Sequence, residues 1–137
     1  MTKIFNQTIG GFYRDVNKDG LPAVSGVYFV YTCSYDANDK TVALNKLIYI
    51  GKAEDINARI GGHEKYDEWR GYLKSGETLC YAYTDVCDAN CERVEAAYIY
   101  RHCPPVNSSC TKSFNYYPTR VISTGRIGKL NSDFTVE

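Results

Sequence analysis

The chain has 137 residues, which is the size of one domain. Its 16 Lys and Arg residues balance 16 Asp and Glu residues, so the molecule as a whole does not attract a polyanion, and any nucleic-acid site must be a local patch. No window approaches the ~18 apolar residues of a membrane span, and the N-terminus lacks a signal-peptide apolar run. We therefore expect a cytoplasmic protein with no membrane partner.

The six cysteines are expected to be reduced, because no export signal points to an oxidising compartment. A structural zinc site remains an alternative. Cys87 and Cys91 have a spacing that suits one ligand pair, whereas Cys103 and Cys110 are further apart than zinc ligand pairs usually are. Packing thiols are the favoured interpretation.

Two strands are predicted early in the chain. Residues 1–24 carry turn signals and predict a lead-in of extended segments. The stretch SGVYFVYTCS (25–34) is rich in β-branched and aromatic residues, and KLIYIGK (46–52) is similar, so together they predict an antiparallel hairpin. Alternation along the first strand separates two faces, one with Tyr28 and Val30 and the other with Val27, Phe29 and Tyr31.

Helical patterns follow the hairpin. Acidic residues at 54 and 55 suit a helix N-terminus, and Arg59 and His63 are four residues apart, so they should point the same way. Residues 63–76 resume a helical stripe that includes Trp69, and residues 78–86 predict a third strand.

The last predicted helix runs from Asp88 to the prolines at 104 and 105. Glu95 lies among its apolar residues, where a buried carboxylate needs a partner. Residues 108–137 predict a loop followed by one or two strands, and Pro118 favours an edge position.

Six polar residues occur in an order that resembles the GIY-YIG nuclease family. The first element is GVY (26–28) and the second is YIG (49–51), and the six positions are Tyr28, Tyr49, Arg59, His63, Glu95 and Asn107. The resemblance covers about residues 25–107. It implies an α+β fold in which a small three-stranded antiparallel sheet is flanked by helices, with extra extended segments at both termini. The chain would be a single domain (1–137) with this catalytic core, an N-terminal lead-in (1–24) and a C-terminal extension (108–137).

The resemblance implies a metal-dependent DNA endonuclease. Glu95 would hold Mg²⁺ or Mn²⁺, since Mg²⁺ commonly uses only one or two carboxylates. Arg59 would grip phosphate through its planar fork. Tyr28 corresponds to the family's general base and would pass its proton to His63, while Tyr49 would orient water or phosphate.

Three further residues are expected to support this site. Gly51 would permit close backbone approach, Lys52 would add positive potential, and Asn107 would hold the tyrosine edge by hydrogen bonds. DNA contacts are expected from a C-terminal stretch that has four cations and no acid between residues 111 and 132, interleaved with aromatic residues. These cations are Lys112, Arg120, Arg126 and Lys129.

Two other classes of protein remain open. Strand tyrosines usually pack and helix arginines are usually solvated. The chain could therefore be a non-cleaving nucleic-acid-binding module or a protein-interaction module on the same fold. Because little of the chain lies outside the core, specificity would have to come from its loops, its C-terminal segment, a homodimer or a partner protein.

Overall fold

The computed structural model of the protein describes residues 1–107 and 113–137. Within them the chain forms strands and α-helices, with one 3₁₀ turn after the first strand. In chain order these are β1 (Lys3–Arg14), the 3₁₀ helix (Asp15–Gly20), β2 (Gly26–Asp36), β3 (Thr41–Ala53), α1 (Ile56–Gly61), α2 (Tyr66–Arg70), β4 (Glu77–Asp85), α3 (Asp88–His102), β5 (Thr119–Gly125) and β6 (Asp133–Val136).

The strands form one six-stranded sheet in the order β3-β2-β4-β1-β5-β6. β1 and β5 are parallel, and the other neighbours are antiparallel. The prediction of a small three-stranded sheet flanked by helices is therefore wrong. β2, β3 and β4 are present and adjacent, but β1 pairs with β4 on one side and β5 on the other, so the sheet doubles in size and curls.

The sequence analysis assigned β1 only to a lead-in because its alternation is weak. Its inward positions include Phe5 and Ile9, but the residue between them on that face is the polar Gln7, which is also buried. Gln7 Nε2 donates to Thr84 Oγ1 at 2.8 Å, which satisfies the buried amide. A polar residue that is buried only because a distant strand supplies its partner cannot be recognised from local pattern.

The two faces of β2 pack against different elements, as the alternation predicted. Val27, Phe29 and Tyr31 lie in a cluster with residues of α3. Tyr28 and Val30 lie in a second cluster on the opposite face, with residues of α1 and α2. The sheet is thus covered on both faces around β2, and the polar residues of interest lie where the helices meet its β3 edge.

The connection between β3 and β4 is less helical than predicted. α1 ends at Gly61, so His63 follows the helix rather than continuing the Arg59 stripe. The paired glycines at 61 and 62 explain this end, because glycine is a poor helix former. α2 contains only Tyr66–Arg70 of the predicted helical stretch 63–76.

The cysteines differ in state. Cys33, Cys80, Cys87 and Cys91 are free, as expected, whereas Cys103 is disulfide-bonded, which corrects the expectation of reduced thiols at that position. Among residues 1–107 and 113–137, no helix is long and apolar enough to cross a membrane.

Candidate active site at the β3 edge

The outer edge of β3 is fixed by Asn107. Its Oδ1 accepts the Ile50 N–H at 2.9 Å, and its Nδ2 donates to the Ile50 carbonyl at 2.8 Å. The Val106 N–H continues this ladder to the Ile48 carbonyl at 3.0 Å. An edge strand otherwise presents unpaired backbone groups. Asn107 therefore holds β3 in place at the residue between Tyr49 and Gly51.

Gly51 makes room for the Tyr28 hydroxyl. The two residues are directly opposite in the β2–β3 pairing. A Cβ built on Gly51 would overlap the Tyr28 hydroxyl oxygen and ring. The missing side chain lets the Tyr28 ring, which is 1% exposed, lie across β3 toward the α1–α2 connection.

The buried imidazole of His63 donates a hydrogen bond to Tyr28. Its Nε2 lies 2.7 Å from the Tyr28 hydroxyl, and its Nδ1 accepts the Lys65 backbone N–H at 3.0 Å. A neutral imidazole has one N–H, so an accepting Nδ1 places the proton on Nε2. Burial, followed by the positive charge of Arg59, lowers the pKa of His63 to about 4, so the ring is neutral near pH 7.

Tyr49 is the accessible tyrosine of the pair. It is half-buried, whereas Tyr28 is fully buried, and their ring centroids are 6.1 Å apart. Burial raises the pKa of both phenols. The weaker burial of Tyr49 leaves it as the phenol of the pair that is open to solvent.

Arg59 is held by a neighbouring carboxylate. Its Nη1 and Nη2 donate to the two oxygens of Glu64 at 2.5 and 2.6 Å. This pairing lowers the pKa of Glu64 to about 2. The two carboxylate oxygens therefore occupy the same pair of guanidinium N–H groups that would bind two phosphate oxygens. Arg59 also lies close enough to the phenols for its charge to lower the pKa of both Tyr28 and Tyr49.

Glu95 reaches this group from α3, at the same strand edge. It is half-buried, and desolvation raises its pKa, while the Lys52 ammonium and a hydrogen bond from the Lys52 backbone oppose that rise. Its negative charge raises the pKa of Tyr28 and Tyr49, so it lies within electrostatic reach of both. Glu95 and Glu92, one helical turn earlier, line a cleft of about 430 Å³.

The carboxylate of Glu95 suits a hard divalent cation. Its burial is only partly compensated, because the hydrogen bond from Lys52 leaves most of its oxygen lone pairs available. Glu92 beside it supplies a second oxygen donor. In the part of the chain that the structure describes, no group of three or more His, Cys, Asp or Glu side chains is placed to hold a metal ion. The site therefore suits a cation that is held by one or two carboxylates.

Trp69 belongs to this site although the sequence analysis assigned it only to a helical stripe. The indole is fully buried, and its ring centroid lies 4.4 Å from that of His63 and 5.5 Å from that of Tyr49. In the sequence Trp69 is only one member of an apolar helical stripe, and such a stripe does not indicate contact with a site. Trp69 supplies the low-polarity wall that desolvates the imidazole.

The predicted DNA-contacting cations that the structure describes lie on β5 and on the connection that follows it. Arg120 donates from Nε and Nη2 to the two carboxylate oxygens of Asp133 at 2.8 and 2.6 Å. Asp133 is the first acidic residue after the acid-free stretch. Arg126 and Lys129 are exposed on the β5–β6 connection, which packs against Tyr31 and Leu44 near Gly128. Lys112 lies outside the described residues.

Comparison of the chain with protein-family models, with curated proteins and with solved structures finds no match in any of the three. The class of site is therefore argued from the residues and their geometry. Three of the predicted residues, Tyr28, Tyr49 and His63, are in contact at the β3 edge, where Gly51 and Asn107 shape the strand. Arg59 and Glu95 lie within electrostatic reach of the two phenols.

Proposed function

We propose that the protein is a metal-dependent DNA endonuclease of the GIY-YIG kind, which hydrolyses phosphodiester bonds at the β3 edge. The observation that carries this proposal is the buried hydrogen bond between His63 and Tyr28, with the half-exposed Tyr49 in ring contact with both. Arg59 and Glu95 lie within electrostatic reach of the same two phenols. Such a group offers a base, a cation and an anionic metal ligand around one phosphate.

Tyr49 is the base in this proposal, in place of Tyr28. The His63 N–H points at Tyr28, so the imidazole cannot take a proton from that phenol without a change of tautomer. Tyr28 supports Tyr49 through ring contact, with their centroids 6.1 Å apart. Tyr49 is also the phenol that water and a phosphate can reach. Tyr49 would first lose its phenolic proton to solvent, with the Arg59 charge stabilising the phenolate, and would then take a proton from the attacking water, while His63 and Tyr28 act as positioning residues.

Glu95 would hold Mg²⁺ or Mn²⁺, with Glu92 as the neighbouring oxygen donor. When bound there, the metal would stabilise negative charge that develops on the phosphoryl oxygens. Lys52 contributes positive potential at the same edge, and its backbone orients the Glu95 carboxylate.

Arg59 must exchange Glu64 for phosphate when substrate binds. Glu64 is 63% exposed, so its carboxylate can turn into solvent while Arg59 keeps its place on α1. The exchange replaces one bidentate partner by another of the same shape and greater charge. Glu64 thereby keeps the arginine oriented in the free protein.

One observation favours the alternative of a non-cleaving nucleic-acid-binding module. Both Arg59 and Arg120 are already paired with carboxylates, and the net charge is zero. Such a module would bind DNA without hydrolysing it. On either alternative we place the protein in the cytoplasm, where the four cysteines found free among the described residues would stay reduced and the bond at Cys103 would be exposed to reduction.

The proposal is tested by incubating the purified chain with plasmid DNA, duplex and single-stranded oligonucleotides, and RNA, each with Mg²⁺, Mn²⁺ or EDTA. We expect metal-dependent strand cleavage of DNA. Binding without cleavage under all metal conditions would favour the non-cleaving module. Cleavage that persists in EDTA would contradict the role given to Glu95.

A further inference from the structure

A second feature adjoins the site, and its aromatic side has no part in the chemistry described above. The cleft that Glu95 and Glu92 border on one side is closed on the other by residues 113–116. Its volume of about 430 Å³ is within the range of small-ligand sites. Glu95 belongs both to this cleft and to the phosphate site, so whatever fills the cleft lies next to the phosphate.

Three aromatic side chains line this cleft. Tyr100 comes from α3, and Phe114 and Tyr116 come from the facing segment. The centroid of Phe114 is 6.0 Å from that of Tyr100 and 5.4 Å from that of Tyr116, with interplanar angles of 44° and 49°. At these tilts the rings do not stack face to face, so they do not cover one another's faces.

The polar lining suits a nucleobase. Where no cation engages them, the carboxylate oxygens of Glu92 and Glu95 accept hydrogen bonds from ring N–H or amino groups. Burial, followed by the charge of Glu92, raises the pKa of Tyr116, so the phenol lies within electrostatic reach of that carboxylate. Asn115 adds an amide that can both donate and accept. A planar ligand with polar edges matches this combination.

We propose that the cleft between α3 and residues 113–116 takes one unpaired nucleobase of the substrate strand, beside the phosphate to be cleaved. The inference rests on the proposed function, since it is the phosphate at Glu95 that brings the base to the rings. A base inside a duplex is stacked on both sides and cannot enter, so the substrate is single-stranded or distorted at this position.

The test measures binding in EDTA, where cleavage does not interfere. The probe is a single-stranded DNA of about twelve nucleotides in which one abasic position is moved along the strand. In the wild type we expect one position where losing the base weakens binding about tenfold. In Tyr116→Leu, loss of the base at that position should weaken binding by no more than about twofold, because the ring that the base contacts is gone.

Two variants serve as controls. Tyr116→Phe keeps the ring and should keep the abasic effect. Tyr117→Leu changes the neighbouring tyrosine, which is 78% exposed and does not line this cleft, and should also keep it. Phe114→Leu repeats the test at a second ring, with thermal unfolding used to verify that each variant is folded.

The outcomes separate this inference from the proposed function. An abasic effect that is equal in wild type and Tyr116→Leu would overturn the base site, even if the protein cleaves DNA in Mg²⁺. An effect lost in Tyr116→Leu and kept in Tyr116→Phe would support the base site, even if no cleavage is found. Equal affinity for duplex and single-stranded probes of the same sequence would also count against it.

Discussion

The His63 imidazole donates to the Tyr28 hydroxyl across 2.7 Å because the Lys65 backbone N–H occupies its other nitrogen. Tyr49 packs against both rings, with centroids 6.1 Å from that of Tyr28 and 5.6 Å from that of His63, and is the half-exposed member. In the proposed mechanism the direction of the His63 hydrogen bond favours Tyr49 as the base, because a donating imidazole cannot accept the Tyr28 proton.

Tyr49→Phe should therefore lower the cleavage rate by about 10²-fold or more, as expected for loss of a general base. Tyr28→Phe should cost about tenfold, because it removes the hydroxyl to which His63 donates. Single-turnover rates with Mg²⁺ and labelled DNA measure both, and Tyr72→Phe at an exposed position is the control. A larger loss in Tyr28→Phe than in Tyr49→Phe would return the base role to Tyr28.

Protonation of His63 should make the fold sensitive to acid. Its pKa is about 4 in the folded protein and about 6.5 in an unfolded chain, so between these values the unfolded state binds more protons. Stability is then complete above pH ~6.5 and is lost as the pH falls toward 4, by about 2–3 kcal/mol for this residue.

Urea unfolding from pH 4.5 to 7.5 measures this dependence, and His63→Gln should flatten it. His102→Gln provides a comparison, because burial also lowers the pKa of that histidine. An unchanged pH dependence in His63→Gln would show that the imidazole is not desolvated as described.

Glu64→Gln should strengthen DNA binding by a few-fold at low salt. The change removes the carboxylate that competes with phosphate for Arg59, while the amide keeps a similar shape. Fluorescence anisotropy with a labelled oligonucleotide in EDTA measures the affinity, and Glu68→Gln removes an equal charge elsewhere on the surface. Equal gains from both variants would mean that only net charge matters, and that Arg59 does not contact phosphate.

Gly51→Ala should destabilise the fold and disturb the site. The new methyl group would occupy the space of the Tyr28 hydroxyl, and overpacking of this kind costs about 1–3 kcal/mol. Gly61→Ala is the matched control, because a Cβ there meets no atom within 4 Å and the residue lies in α1, where alanine is the better helix former. Thermal unfolding of both compares them, and equal stability of the two variants would contradict the close approach at Gly51.

The sequence predicted the core strands better than it predicted the architecture. Strong local signals mark three elements. β2 is a run of β-branched and aromatic residues, β3 is a similar run that can pair with it, and α3 has capping residue types at its start and prolines after its end. The order of six polar residues on these elements indicated the site, and the structure brings three of them into contact at one strand edge. The place of β1 depends on pairing with β4 and β5, which no local pattern encodes.

The details of the site could not be predicted because they depend on contacts outside the motif. The tautomer of His63 is decided by the backbone of Lys65, and the orientation of Arg59 by Glu64. Trp69 reaches His63 only through the packing of a short helix against the sheet. The acid-free C-terminal stretch ends one residue before Asp133, which pairs with Arg120, and counting charge along the chain does not reveal this pairing.

The most direct test of the central claim is the single-turnover cleavage of labelled DNA by Glu95→Gln at saturating Mg²⁺. The substitution keeps the size of the side chain but removes the anionic metal ligand, and Glu68→Gln on the exposed face of α2 is the matched control. We predict metal-dependent cleavage in the wild type and in Glu68→Gln, and a loss of about 10³-fold or more in Glu95→Gln with thermal stability retained. Cleavage by Glu95→Gln at the wild-type rate, or no cleavage by the wild type on any DNA with Mg²⁺ or Mn²⁺, would contradict it.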